Sequence, residues 1–269
     1  MKKVLATVQI FSLAFFFAFF FVGSSVSAAE TRFARISDGT IVSTTTERVD
    51  FAHRTSTSFN VNPVLPVYQS DLGCGITAGG VIISWYQREF LQLLPGNTPG
   101  SFFLGNWRWT NQNIHHNNMF NQLSPLMGAV NGYVTINGYL GGMNSFVSSR
   151  GRTFTSTSLR NANGTLNFPA TQAALRNGQL VTIFVSGYSL AHINGPQNHS
   201  NFDIITVDNR AGYHAMAVFG YQVVRYYNSS MVMFRQDIYL RVHSGHRTLN
   251  SLILRHFTGF YSAFVTHVS

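Results

Sequence analysis

The chain of 269 residues contains one cysteine, Cys74, and only 10% of its residues are charged. A single cysteine cannot form an internal disulfide, which excludes a small scaffold held together by disulfides. Two interpretations remain open for it: a buried side chain that packs as a small apolar residue, or a reactive thiol. The count alone favours the buried side chain, so the surrounding sequence has to decide.

Acidic residues are also scarce, with 9 Asp and Glu against 18 Lys and Arg and a formal net charge of +9. This balance favours anionic neighbours such as cell-wall polymers, membrane headgroups or nucleic acid. The basic residues are scattered and form no cluster along the chain. We therefore expect a basic surface near anionic material and no nucleic-acid partner.

Only one long apolar run is present, and it lies at the start of the chain. Lys2 and Lys3 precede the run from Val4 to about Val22, and the small residues Val26-Ser27-Ala28 follow. This three-part pattern is typical of a secretory signal peptide cleaved near Ala28; the alternative is an uncleaved membrane anchor. We expect a secreted protein without stable membrane insertion after cleavage.

The rest of the chain divides into two parts that differ in composition. Residues 29–60 are polar and rich in Thr and Ser, as in an extension that covers the domain or links it to the signal. Residues 61–269 have the length of one domain. Apolar spacing predicts helices near 76–90, 114–130, 139–149 and 171–176, strands near 154–158, 180–185, 213–224, 231–242 and 252–265, and a polar loop over 187–212. Helices first and strands last predict an α+β domain.

Cys74 lies where a turn gives way to the first helix. Asp71 and Gly73 are turn formers, and the helix that follows would place the sulfur at its N-terminal end. Unpaired N–H groups and the positive end of the dipole favour the thiolate there, which is the nucleophilic form. We expect Gly75 to leave the approach to the sulfur open, and the small residues Ala78, Gly79 and Gly80 to let another element approach the helix.

A thiol nucleophile needs a base, and histidine is the usual one. His214 opens the apolar strand Ala215–Tyr221 directly after the polar segment, so it is the strongest candidate; a satisfied core histidine is the alternative. The other histidines lack a supporting pattern: His53, His115, His116, His192, His199, His246, His256 and His267. No metal cluster or nucleotide-binding motif is evident, and we expect no cofactor.

Three blocks of the sequence resemble motifs of one enzyme family. Gln69-Ser-Asp-Leu-Gly-Cys74-Gly75-Ile-Thr-Ala78 resembles the nucleophile motif of papain-like cysteine peptidases, in the form of the bacteriocin-leader-processing (double-glycine) branch and its secreted relatives. Residues 174–181 resemble the helix, turn and strand before the histidine, and residues 212–221 resemble the histidine strand itself. The resemblance covers about residues 64–245. It implies a papain-like fold, with an N-terminal helical half that carries the nucleophile and a C-terminal antiparallel sheet.

The resemblance also implies roles for individual residues. Cys74 would be the nucleophile, His214 the general base, and Gln69 a donor to the oxyanion together with the backbone N–H of Cys74. The family carries Asn or Asp at a third position that orients the imidazole, and His243 stands there in this chain. A neutral histidine can orient His214 but cannot stabilise an imidazolium by charge. Three other acids are alternative partners outside the motif: Asp203, Asp208 and Asp237.

The expected function is that of a secreted thiol hydrolase that cleaves peptide bonds in a peptide or protein through an acyl-enzyme. Two alternatives stay open on the same scaffold. One is a cell-wall amidase or endopeptidase, which His243 and the positive charge favour, with cell-wall peptide as substrate. The other is a catalytically degenerate binding module, which the departure at the third position favours.

Overall fold

The structure is a computed structural model that describes residues 32–33, 40–61, 72–95, 99–103, 106–109, 112–194, 201–243, 252–256 and 260–269. The chain divides into a unit of residues 1–30 and a unit of residues 31–269. The predicted signal peptide, residues 1–28, lies outside the described residues. The helices and strands of the structure lie in the second unit.

Four α-helices lie among the described residues: α1 (Cys74–Tyr86), α2 (Gln112–Leu126), α3 (Ile136–Ser148) and α4 (Phe168–Arg176), with a short 3₁₀ helix at Leu91–Leu93. Side chains cap two of them. Thr135 accepts a hydrogen bond from the N–H of Gly138 at the start of α3, and Asn167 accepts one from the N–H of Ala170 at the start of α4. Such caps satisfy N–H groups that a helix leaves without acceptors in its first turn.

Helix α1 is buried along its whole length. A Cβ on Gly79 would come within 2.9 Å of the Met143 sulfur and 2.7 Å of the Met127 methyl group, and a Cβ on Gly80 would come within 2.9 Å of the Met119 methyl group. The missing side chains therefore admit α2 and α3 to the surface of α1. This confirms the close approach that the small residues predict, and it explains why a glycine-rich helix holds in the core despite weak intrinsic propensity.

One antiparallel sheet of eight strands forms the other half of the core. Its strands are β2 (Thr40–Asp50), β3 (His53–Asn60), β7 (Phe154–Ser158), β8 (Val181–Asn194), β9 (Phe202–Tyr227), β10 (Met233–His243), β11 (Leu252–His256) and β12 (Phe260–Val268). The order is β2-β9-β10-β11-β8-β12-β7, and β3 also pairs with β9. Two small sheets pair β1 (Arg32–Phe33) with β6 (Val134–Thr135) and β4 (Pro99–Phe103) with β5 (Asn106–Trp109).

The predicted loop over residues 187–212 is wrong. Strand β8 continues to Asn194 and β9 begins at Phe202, so most of this segment pairs as a long hairpin. Along β9 the buried positions alternate, but the first of them is Asp203. A charged residue on the inner face hides the apolar alternation that signals a half-buried strand.

Residues 40–60, which belong to the predicted N-terminal extension, form strands β2 and β3 on the long strand β9. Arg54 of β3 lies 2.6 Å from the fully buried carboxylate of Asp203, which also accepts a hydrogen bond of 2.9 Å from the Tyr226 hydroxyl. Arg235 of β10 contacts Glu47 of β2 through two hydrogen bonds. One ion pair with a buried carboxylate, one partly exposed ion pair and strand pairing thus join this segment to the sheet.

The architecture is mixed, with four α-helices among the described residues and a sheet that is mostly antiparallel, so the α+β class is confirmed. The large hydrophobic core lies between α1, α3 and the sheet, and a hydrogen bond of 2.7 Å joins Tyr139 of α3 to Thr182 of β8 within it. Within the described ranges, every helix is too short or too polar to cross a bilayer.

Candidate active site

Cys74 is the first residue of α1 and is 1% exposed. The residue before it, Gly73, has φ 129° and ψ 159°, a conformation that is almost confined to glycine, and no side chain caps the helix. The first turn contains no acidic residue. The partial positive charge of the helix end therefore acts on the sulfur without a competing carboxylate in that turn, which favours the thiolate.

Two glycines make this position possible by close packing. A Cβ on Gly73 would collide with the backbone carbonyl of Gly132, and a Cβ on Gly75 would collide with the side chain of Val134. The role expected for Gly75, an open approach to the sulfur, is therefore wrong: the missing side chain makes room for a buried valine. The segment before α3 packs directly against the nucleophile turn.

The sheet brings the histidine block to the cysteine. The backbone N–H of Ala215 in β9 donates a hydrogen bond to the Cys74 sulfur at 3.3 Å, across 141 residues of sequence. His214 is the residue directly before that donor and is 1% exposed. A backbone donor to sulfur favours its charged form, as the helix end does. The structure thus brings together the two blocks that the sequence singles out.

Tyr188 is a member of this site that the sequence analysis missed. Its ring is stacked on the imidazole of His214, with centroids 5.1 Å apart and planes inclined by 14°. Tyr188 is 2% exposed and lies on β8, within the segment predicted as a loop. Tyr188 and Leu190 are both buried and two residues apart, a period of two that extends the apolar strand before them and signals this continuation.

The electrostatics of Tyr188 tie it to the cysteine as well. Burial raises the pKa of Tyr188 well above its usual range, the positive charge of Arg210 partly opposes this, and the charge of Cys74 adds to it. Arg210 is the residue of β9 that pairs with Tyr188. The phenol is therefore neutral at physiological pH, and it acts as an apolar and π surface with a hydroxyl group.

His243 ends β10, the strand next to β9, and pairs in register with Ala217, three residues after His214. It is 6% exposed, and burial lowers its pKa from 6.5 to about 4. In the folded protein His243 is therefore uncharged at neutral pH. It can serve only as a hydrogen-bonding partner there, and its orienting role stays a prediction.

Gln69 lies outside the described residues, so the predicted oxyanion donor stays a prediction. The same holds for the side chains of His115, His116, His199, His246 and His256. Two of the remaining histidines, His53 and His267, are exposed and His192 is half-buried.

The three acids considered as partners of His214 engage other groups. The carboxylate of Asp203 binds Arg54, that of Asp208 accepts a hydrogen bond of 2.7 Å from Thr44, and that of Asp237 pairs with Arg235 at 2.8 Å. The first two contacts join β9 to its neighbouring strands β3 and β2, and the third lies within β10. The described side chains also include no group of three or more His, Cys, Asp or Glu that is arranged to hold a metal ion.

Comparisons with protein-family models, with curated proteins and with solved structures found no match for this chain.

Proposed function

We propose that the protein is a secreted thiol hydrolase of papain-like fold, which cleaves peptide bonds through an acyl-enzyme on Cys74 with His214 as general base. The observation that carries the proposal is the hydrogen bond of 3.3 Å between the Cys74 sulfur and the backbone of Ala215, the neighbour of His214. Thiolate and imidazole on separate elements, a helix end and a strand, form the pair that nucleophilic thiol catalysis needs.

The chemistry follows from these two groups. The thiolate attacks the scissile carbonyl carbon, and the C–N bond breaks as the imidazolium gives its proton to the leaving amine. A water molecule then attacks the thioester carbon while neutral His214 takes a proton from it, and the C–S bond breaks to release the acid and restore the thiolate–imidazolium pair. Gln69 and the backbone N–H of Cys74 are the proposed donors to the oxyanion.

Labelling with an epoxide of the E-64 type tests this proposal. The thiolate opens the ring at carbon, and the oxygen takes a proton from the imidazolium. Since Cys74 is the one cysteine of the chain, each molecule incorporates at most one label, which intact mass reports directly. We expect labelling of the wild type, none of Cys74→Ala, and a rate for His214→Ala that is lower by roughly 100-fold or more. His53→Ala is the matched control, because that histidine is exposed.

Because Cys74 is buried, its rate of labelling depends on access of the reagent to the sulfur as well as on activation of the thiol. A small reagent reduces the effect of access. The rate of iodoacetamide with the native protein at neutral pH is compared with the rate of the same protein unfolded in urea. A native thiol that reacts faster than the unfolded one, despite 1% exposure, is an activated nucleophile. A native thiol that reacts no faster, together with no epoxide labelling, contradicts the hydrolase and favours the degenerate binding module.

A cell-wall amidase or endopeptidase on the same pair of residues is the second candidate. The net charge of +9 favours an anionic, cell-wall environment, and the uncharged His243 departs from the amide or carboxylate of the peptidases that the sequence resembles. Release of amines from purified peptidoglycan is compared with cleavage of casein by the same enzyme preparation. Activity that is confined to peptidoglycan, and lost in Cys74→Ala, would select the amidase.

A further inference from the structure

We propose that Tyr188 is a positioning residue that holds the imidazole of His214 in its catalytic plane and stabilises its protonated form through the face of the phenol ring. This inference rests on the proposed function and adds a residue to its site. The stacked geometry carries it: the ring centroids are 5.1 Å apart, the planes differ by 14°, and both side chains are at least 98% buried.

Packing fixes the position of Tyr188. The positive φ of Gly187, 68°, stands at the irregularity of the β8–β9 ladder between Ser186 and Tyr188. The irregularity shifts the register directly before the tyrosine, so β8 sets the ring against an imidazole carried by its neighbouring strand. Because a ring held at a strand irregularity inside the core has few alternative rotamers, its face is a fixed surface for His214.

The physical effect is a cation–π interaction that exists only when the imidazole is protonated. A cation over the face of a tyrosine within about 6 Å is stabilised, more so when water is excluded. The thiolate–imidazolium pair needs such support, because the third position holds His243, which is buried and carries no charge at neutral pH. Tyr188 therefore supplies part of the stabilisation that a carboxylate or amide partner would give.

Other titratable and charged side chains enter the same balance. The charges of Cys74 and Arg210 act on Tyr188, His243 lies on the strand that pairs with β9, and Tyr213, the neighbour of His214 in β9, contacts Tyr261 of β12. Cys74 as thiolate favours the imidazolium, and the positive charge of Arg210 opposes it. Tyr213 is exposed, and its phenol carries no charge near neutral pH; its hydroxyl lies 3.3 Å from that of Tyr261. In this proposal the stacked Tyr188 ring adds to the stabilisation of protonated His214.

The experiment measures the rate of epoxide labelling as a function of pH, in the whole protein as it is exported, for the wild type and three variants. At alkaline pH the rate falls as the imidazolium loses its proton, and this fall is the alkaline limb of the profile. We expect Tyr188→Leu to move this limb to lower pH by about one unit, and to reduce labelling on the limb about tenfold. Tyr188→Phe keeps the ring and is expected to keep the wild-type limb.

Tyr139→Leu is the control for loss of a buried tyrosine as such, since Tyr139 is fully buried and its hydroxyl contacts Thr182. We expect it to lower the melting temperature without moving the limb. The imidazole pKa of His214, followed by NMR in each protein, gives a second readout that does not depend on turnover.

A wild type that labels, with the same limb and the same imidazole pKa in Tyr188→Leu, overturns this inference and leaves the hydrolase intact. A wild type that does not label at any pH overturns the proposed function instead. If Tyr188→Leu fails to fold, the comparison of Tyr188→Phe with a Tyr188→Met variant decides, since Met fills the space without a π face.

Discussion

The burial of His243 leads us to predict that the free energy of unfolding falls in acid. Burial lowers the pKa of this histidine from 6.5 to about 4, so the folded protein resists protonating it. The unfolded chain has no such restraint and takes up the proton near pH 6.5. Between these two values the unfolded state binds more protons than the folded state, and stability falls as the pH falls. Below about pH 4 both states are protonated and the loss is complete.

The size of the effect follows from the same two values. One pKa unit corresponds to about 1.4 kcal/mol, so a shift of about 2.5 units amounts to about 3 kcal/mol over the whole window. Between about pH 7 and about pH 4.5 we expect about 2.5 kcal/mol of this to be lost. His243→Gln places a side chain of similar size that does not titrate, so it should remove this part of the pH dependence.

The assay is urea unfolding at the two pH values, followed by the fluorescence of tryptophan, since Trp85 is buried in the core. Other acids and histidines titrate in both proteins, so the difference between wild type and His243→Gln isolates the single group. His53→Gln, at an exposed position, is the control and is expected to follow the wild type. Parallel losses of stability in wild type and His243→Gln would refute the argument that His243 is buried uncharged.

Two further substitutions test the surroundings of the site. Arg54→Met leaves the buried carboxylate of Asp203 without its cation and should lower the free energy of unfolding by about 3–5 kcal/mol. Arg48→Met, at an exposed pair, should lower it far less. Equal effects in urea unfolding would contradict the buried ion pair. Gly73→Ala places a Cβ in a backbone conformation almost confined to glycine, so it should lower the free energy of unfolding by about 1–3 kcal/mol or more and reduce epoxide labelling. Gly141→Ala, inside α3 with open space around it, should leave stability unchanged or raise it. An unchanged melting temperature in Gly73→Ala would count against the packed nucleophile turn.

The sequence predicts best those parts of the fold that local patterns determine. The presence of a helix directly after the nucleophile turn, strand β7 over Phe154–Ser158 and the end of α4 at Arg176 all follow from spacing, turn residues and stop signals. The bounds of that first helix differ, since the prediction near 76–90 corresponds to α1 at Cys74–Tyr86. The long hairpin of β8 and β9 does not, because the buried position at its start is Asp203, and periodicity counts an aspartate as polar. What makes Asp203 a core residue is Arg54, which lies 149 positions away in sequence.

The candidate site divides in the same way. Cys74 and His214 are recognisable because each has a local context: a turn before a helix, and a polar segment before an apolar strand. Tyr188 has a local signal only for its strand, and its contact with His214 depends on the pairing of β8 with β9 and on the irregularity at Gly187. A residue whose role depends on register between two strands is therefore beyond the reach of spacing along one strand.

Burial gives the site one more property. Cys74 and His214 are each 1% exposed, so a substrate of the proposed hydrolase finds almost no open surface at the sulfur. In the proposed hydrolase the same exclusion of water would strengthen the interaction of the thiolate with the helix end and of the imidazolium with the Tyr188 face, because both would act in a low dielectric. Burial thus limits the access of a reagent to the Cys74 sulfur while it favours the proposed activation of the thiol. A hydrolase built this way has a rate of labelling that rises steeply with reagent access. The ratio between wild type and His214→Ala is expected to be larger for the epoxide, whose opening takes a proton from the imidazolium, than for iodoacetamide, whose iodide leaves without one, and comparison of the two reagents measures both effects on one thiol.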